Sequence, residues 1–82
     1  MHIILYMKEP CLLCEEVEGL LATLQHDYPH TLEKRDIHKK EAWLEEYQLS
    51  IPVIEINGEQ LHAGELDATT LEKFLDKHKR GN

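Results

Sequence analysis

Positive charge is scarce in this sequence. Nine lysines and arginines stand against sixteen aspartates and glutamates, for a formal net charge of -7. That balance argues against the basic footprint of a nucleic-acid binder and against attachment to an anionic lipid surface. Long apolar runs are also missing. The opening "MHIILYMK" is too short to span a bilayer or to act as a secretory signal, and no small-residue cleavage site follows it. The expected compartment is therefore the reducing cytoplasm, with no membrane partner. Repeats, low-complexity tracts and linkers are absent. Cysteine occurs only twice. In a reducing compartment two cysteines point to catalysis or metal binding rather than to a permanent staple.

What remains is an ordinary globular composition, 41% apolar and 30% charged over 82 residues. We read 1–82 as a single domain. A chain of this size buries only ~60–65% of its unfolded surface, so a large enclosed cavity is not expected.

The pattern along the chain reads β-α-β-α-β-β-α. Residues 2–7, "HIILYM", form a nearly continuous apolar run, as in a central strand covered on both faces. From Leu12 to about Gln25 the apolar positions 13, 17, 20, 21 and 24 follow helical spacing. "HDYPH" breaks that helix at Pro29. Residues 31–37, "TLEKRDI", read weakly as a strand, and 39–47 as a short helix with Trp43, Leu44 and Tyr47 inward. "IPVIEI" (51–56), then "NG", then "EQLHA" predicts a hairpin closed by a type I′ turn. "TTLEKFLDKHK" predicts a final helix. Thr69 and Glu72 have capping-box spacing, and Leu71, Phe74, Leu75 and His78 share one face. A long crossover after the first strand implies parallel pairing, and the hairpin adds antiparallel strands. The expected class is α/β, a four-stranded mixed sheet flanked by three helices.

Both cysteines lie in "MKEPCLLCEEVEGLL", where a buried strand ends and a helix begins. Reactive groups gather at that edge of open α/β sheets. A helical i, i+3 spacing puts the two Cα atoms about 5–6 Å apart, within disulfide range. Cys11 falls in the N-cap region, where unpaired N–H groups and the helix dipole favour a thiolate. Lowering its pKa from ~8.5 to ~7 takes about 2 kcal/mol. Lys8 adds to this effect, and Glu15, Glu16 and Glu18 oppose it. A zinc finger built with His26 and His30 fails on distance, since Cys14 and His26 would be ~18 Å apart along a helix. A zinc site completed by a second chain, or two inert packing cysteines, remain open alternatives. Trp43, Tyr47 and Phe74 are read as core, and the six histidines as surface or capping residues, with His62 the one near the proposed substrate edge.

"ILYMKEPCLLC" together with "SIPVIEINGEQLHAGELDATTL" resembles the glutaredoxin branch of the thioredoxin superfamily. The likeness extends along essentially the whole chain. It is strongest to short bacterial glutaredoxin-like proteins of Cys-x-Leu-Cys type, with the redoxins that serve ribonucleotide reductase as near neighbours. The resemblance implies a thioredoxin-like fold and a thiol–disulfide oxidoreductase. Cys11 would be the nucleophile and Cys14 the resolving thiol. Pro52 would be a cis proline facing the pair, and Ile51 would lend its backbone to an extended substrate. Lys8 would hold a carboxylate of glutathione, and Gly64 and Asp67 would line its γ-glutamyl end. Leu12 and Leu13 would meet the substrate between the two cysteines.

The sequence departs from the glutaredoxin pattern at those same leucines, at Ala63 in place of a glycine, and at Leu66 in place of an aspartate. The implied partners are a disulfide-containing protein or glutathione, and a reductase as electron donor. A monomer needing no metal or organic cofactor is expected, with glutathione as one possible reductant. The alternatives are a non-catalytic thioredoxin-fold module that binds a partner or metal through the same edge, or a redoxin donating electrons to ribonucleotide reductase.

Overall fold

The computed structural model describes residues 1–80, so the last two residues of the expected 1–82 domain lie outside the described residues. The elements follow as β1 (His2–Met7), α1 (Leu12–Thr23), β2 (Thr31–Asp36), a 3-10 turn (Ile37–Lys39) and α2 (Glu41–Tyr47). After these come β3 (Val53–Ile56), β4 (Glu59–His62), a second 3-10 turn (Ala63–Glu65) and α3 (Ala68–Arg80). The strands form one sheet in the order β2-β1-β3-β4. β1 runs parallel to β2 and antiparallel to β3, and β3 is antiparallel to β4. The architecture is α/β and thioredoxin-like, with three helices about a four-stranded mixed sheet, as expected.

Alternation along β1 explains its unbroken apolar run. Ile3, Leu5 and Met7 face the larger core, which they share with Val17 and Leu21 of α1 and Leu71, Phe74 and Leu75 of α3. Tyr6 faces the other way, into a smaller cluster with Ile37, Tyr47 and Val53. The register carries the same parity across the sheet. Leu5 lies opposite Ile54, which lies opposite Leu61, and all three join the larger core. α2 is only seven residues long and covers one end of the second face. The rest of that face is polar. Arg35 Nη1 donates to the Tyr6 hydroxyl at 3.0 Å, and Gln60 Nε2 donates to the Tyr47 hydroxyl and to Glu55, each at 2.8 Å. Tyr6 stacks on Tyr47 at 4.1 Å, and burial pushes its phenol pKa upward. The weak strand signal of "TLEKRD" follows from this setting. β2 is an edge strand, and its charged residues blunt the exposed edge.

Several boundaries differ from expectation. α1 stops at Thr23 rather than near Gln25, and Ile37 starts a 3-10 turn rather than ending a strand. Ile51 and Pro52 precede β3 instead of belonging to it. Ala63 leaves β4 and opens the second 3-10 turn. α3 begins at Ala68, and its cap is Asp67, whose carboxylate accepts the Thr70 N–H at 2.7 Å. The expected Thr69–Glu72 box is thereby displaced, because an aspartate two residues earlier reaches the free N–H first. Asn57 at φ 51° and Gly58 at φ 83° form the tight turn the Asn-Gly pair predicts.

Candidate functional site

β1 delivers the chain to the loop Lys8–Pro10, which turns into the first residue of the site. Cys11 is extended, at φ -161° and ψ 103°, and acts as N-cap of α1. The Cys14 N–H donates to Cys11 Sγ at 3.2 Å, and the Glu15 N–H donates to the Cys11 carbonyl at 3.1 Å. The two cysteines are joined as a disulfide with Cα atoms 5.3 Å apart. They are not equivalent. Cys14 is 2% exposed and belongs to the larger core, while Cys11 is half-buried at its margin.

This asymmetry corrects one detail of the helical pattern. Leu13 is exposed, and Cys14 occupies the inward position of the first turn. Leu12 is 81% exposed, so neither leucine of the motif packs into the core. Each instead stands in solvent beside the disulfide.

The Ile51–Pro52 bond is cis, as the resemblance implied, and Glu9–Pro10 is cis as well, which nothing in the sequence announced. Tyr6 pairs with Val53. One step further along both strands, Met7 and Pro52 come level, which puts Pro52 at the sheet end from which Cys11 emerges. Pro52 is fully buried and Ile51 half-buried against the core. The Ile51 N–H is already engaged, donating to the Tyr47 carbonyl at 3.1 Å. Of its two backbone groups, the carbonyl is the one with no such backbone bond among the described residues.

Gly64 and Asp67 follow β4, whose end at His62 pairs with Val53 at the same sheet end. A Cβ on Gly64 would meet nothing within 4 Å, so the chain's own packing leaves open space there. Asp67 is committed to capping α3, and the Thr70 N–H holds its carboxyl below the usual aspartate value. His62 sits on the polar face with its ring nitrogen 3.3 Å from Gln60 Oε1.

A cleft of about 560 Å³ opens on the β2 side of the disulfide. Cys11, Cys14 and Lys8 line it together with Glu15, Glu18 and Lys34. Glu18 and Lys34 are paired at 3.1 Å across the cleft. The site thus has two flanks. Lys8 belongs to the cleft, whereas Ile51, Pro52, Gly64 and Asp67 lie toward β3 and β4. Lys34 and Leu49 went unmarked in the sequence. Lys34 comes near only because parallel pairing sets β2 beside β1. Leu49, 97% exposed just before the cis proline, looks in sequence like any turn residue. Among the described residues no group of three His, Cys, Asp or Glu side chains is placed to hold a metal ion. No helix among them is long and apolar enough to cross a membrane.

Solved structures share this fold. A structural-genomics target protein from X. campestris superposes with a TM-score of 0.78 at 26% identity, covering 92% of this chain and 96% of its own. Oxidised mitochondrial thioredoxin 3 from Saccharomyces cerevisiae gives a TM-score of 0.64 at 21% identity, covering 93% of this chain and 76% of its own. Oxidised thioredoxin from Plasmodium falciparum gives 0.67 at 19% identity, with 94% and 79% covered. The latter two likenesses concern the fold. The family described as "Glutaredoxin-like domain (DUF836)" matches residues 2–76. With a Cys-x-x-Cys pair at the head of α1 and a thioredoxin-like sheet behind it, this chain belongs to the glutaredoxin-like family.

Proposed function

We propose that the protein is a thiol–disulfide oxidoreductase in which Cys11 is the attacking sulfur and Cys14 the resolving one. The observation that carries this reading is the unequal exposure of two bonded sulfurs within one helical turn: Cys11 is half-buried at the surface and Cys14 is sealed beneath it. Cys11 is therefore the cysteine that a substrate disulfide reaches more readily.

In the reduced protein the free N–H groups of the first turn favour a thiolate at Cys11. That thiolate attacks one sulfur of the substrate disulfide, forming a mixed disulfide and expelling the other substrate sulfur as a thiolate. Cys14 then loses its proton and attacks Cys11 Sγ, releasing the second substrate thiolate and closing the Cys11–Cys14 bond. The substrate gains two electrons and, after protonation, two hydrogens. The protein is left oxidised for a reductase or glutathione to reset. The chemistry needs only the two sulfurs, in a reducing compartment such as the cytoplasm, and a monomer suffices.

Ile51 and Pro52, at the sheet end from which Cys11 emerges, would face the reacting sulfurs, and the Ile51 carbonyl would accept an N–H from an extended substrate. Lys8, Leu12, Leu13, Gly64 and Asp67 complete the rim. The test is turnover of a small neutral disulfide, hydroxyethyl disulfide, with dithiothreitol as reductant. Wild type should consume it, and Cys11→Ser should fall to the uncatalysed rate. Equal turnover by the two proteins would exclude the assignment.

A further inference from the structure

We infer that the preferred substrate is a protein or peptide disulfide carrying positive charge and an apolar residue beside the reacting sulfurs, in preference to glutathione disulfides. This rests on the exchange chemistry proposed above and specifies whom it serves. Two features of the same surface support it. The first is charge. Around the disulfide, Glu9, Glu15 and Glu16 are exposed and Glu18 is half-exposed, against Lys8 and Lys34. Lys34 is already neutralised by Glu18, and Arg35 by Glu33; Lys39 and Lys40 share the neighbouring groove with Glu9, which leaves Lys8 facing Glu15 and Glu16 beside the disulfide. Beyond the cis proline, the exposed Glu65 and Asp67 add carboxylates of their own. The chain as a whole is at -7. A glutathione moiety, whose carboxylates outnumber its ammonium, approaches this rim against the field. A lysine- or arginine-flanked disulfide is drawn toward it.

The second feature is apolar. Leu12, at 81% exposure, and exposed Leu13 stand between the cysteines, and Leu49, at 97%, lies three residues before the cis proline. Glutathione offers no apolar side chain to cover them, and a folded or extended polypeptide does. An apolar centre with a charged rim is the usual anatomy of a protein-recognition patch.

The experiment compares second-order rates of oxidation of the reduced wild-type protein by four disulfides. Two are peptides with one leucine-containing core, flanked by lysines in one and by glutamates in the other. The third is oxidised glutathione and the fourth is neutral hydroxyethyl disulfide. At about 20 mM salt the lysine peptide should react roughly tenfold or more faster than the glutamate peptide and glutathione. At about 0.5 M salt the gap should close to within about twofold. Glu15→Gln with Glu16→Gln should shrink the low-salt ratio by about threefold. Leu12→Ser should slow both peptides by a similar factor and leave their ratio in place. A glutamate peptide or glutathione reacting as fast as the lysine peptide, or a gap insensitive to salt, would overturn the preference while hydroxyethyl disulfide still reacted. No reaction with hydroxyethyl disulfide would overturn the exchange chemistry, and the preference with it.

Discussion

Replacing Cys14 by serine should convert a transient mixed disulfide into a species that can be isolated. The Cα atoms of Cys11 and Cys14 are 5.3 Å apart, so Cys14 Sγ is confined to a volume of about 5 Å radius around its target. One thiol in such a sphere is at a local concentration of about 3 M. An external thiol at about 1 mM is some three thousand times more dilute. Burial of Cys14 lowers its thiolate share and offsets part of that advantage. We therefore expect release of the second product to slow by roughly 10²–10³ in Cys14→Ser at about 1 mM dithiothreitol.

Single-turnover mixing with a fluorogenic peptide disulfide, followed by mass spectrometry under acid quench, reads this directly. Wild type should show no persistent adduct. Cys14→Ser should accumulate one equivalent at Cys11. Serine in place of a buried cysteine adds little volume change, so loss of fold is not expected to confuse the result, and a circular-dichroism melt checks it. The reasoning fails if no adduct builds up in Cys14→Ser, or if Cys11→Ser acquires an adduct at Cys14 at a comparable rate.

Four further outcomes concern stability. The folded-state pKa of Asp67 lies below its ordinary value because of the Thr70 N–H. The stabilisation it contributes is therefore complete above about pH 4–5 and is lost as pH falls through the lowered value. Asp67→Asn keeps the cap without the charge, so urea titrations should show the gap between the two proteins narrowing toward pH 2, and a gap constant with pH would contradict the assignment. Leu75→Ala empties a fully buried position between α3 and the sheet and should cost about 2–5 kcal/mol in urea unfolding. Gly58→Ala meets no steric neighbour but forces a side chain onto a φ of 83°, costing about 1 kcal/mol. Gly64→Ala, with neither clash nor positive φ, should stay within about 0.5 kcal/mol of wild type.

Local patterns carried much of this protein. Alternation in β1 and β3, helical spacing in α1 and α3 and the Asn57-Gly58 turn depend on neighbours within a few residues, so they could be read directly from the chain. The Cys11–Cys14 separation is likewise set by one turn of helix, whatever packs around it. The boundaries were less legible, because capping is a competition. Asp67 won over Thr69 through a hydrogen bond whose geometry no spacing rule contains.

What only the tertiary structure decided is everything that depends on distant segments meeting. It buried Cys14 and left Leu12 and Leu13 in solvent, reversing the inward position that apolar periodicity assigned to Leu13. It set Lys34 against Glu18 across the cleft, and it spent the Ile51 N–H on the end of α2. The sequence by itself determined a pair of cysteines within disulfide reach and the helix that presents it. The surface around that pair is made by strand pairing, because residues far apart in the chain share a neighbourhood only once the sheet has formed.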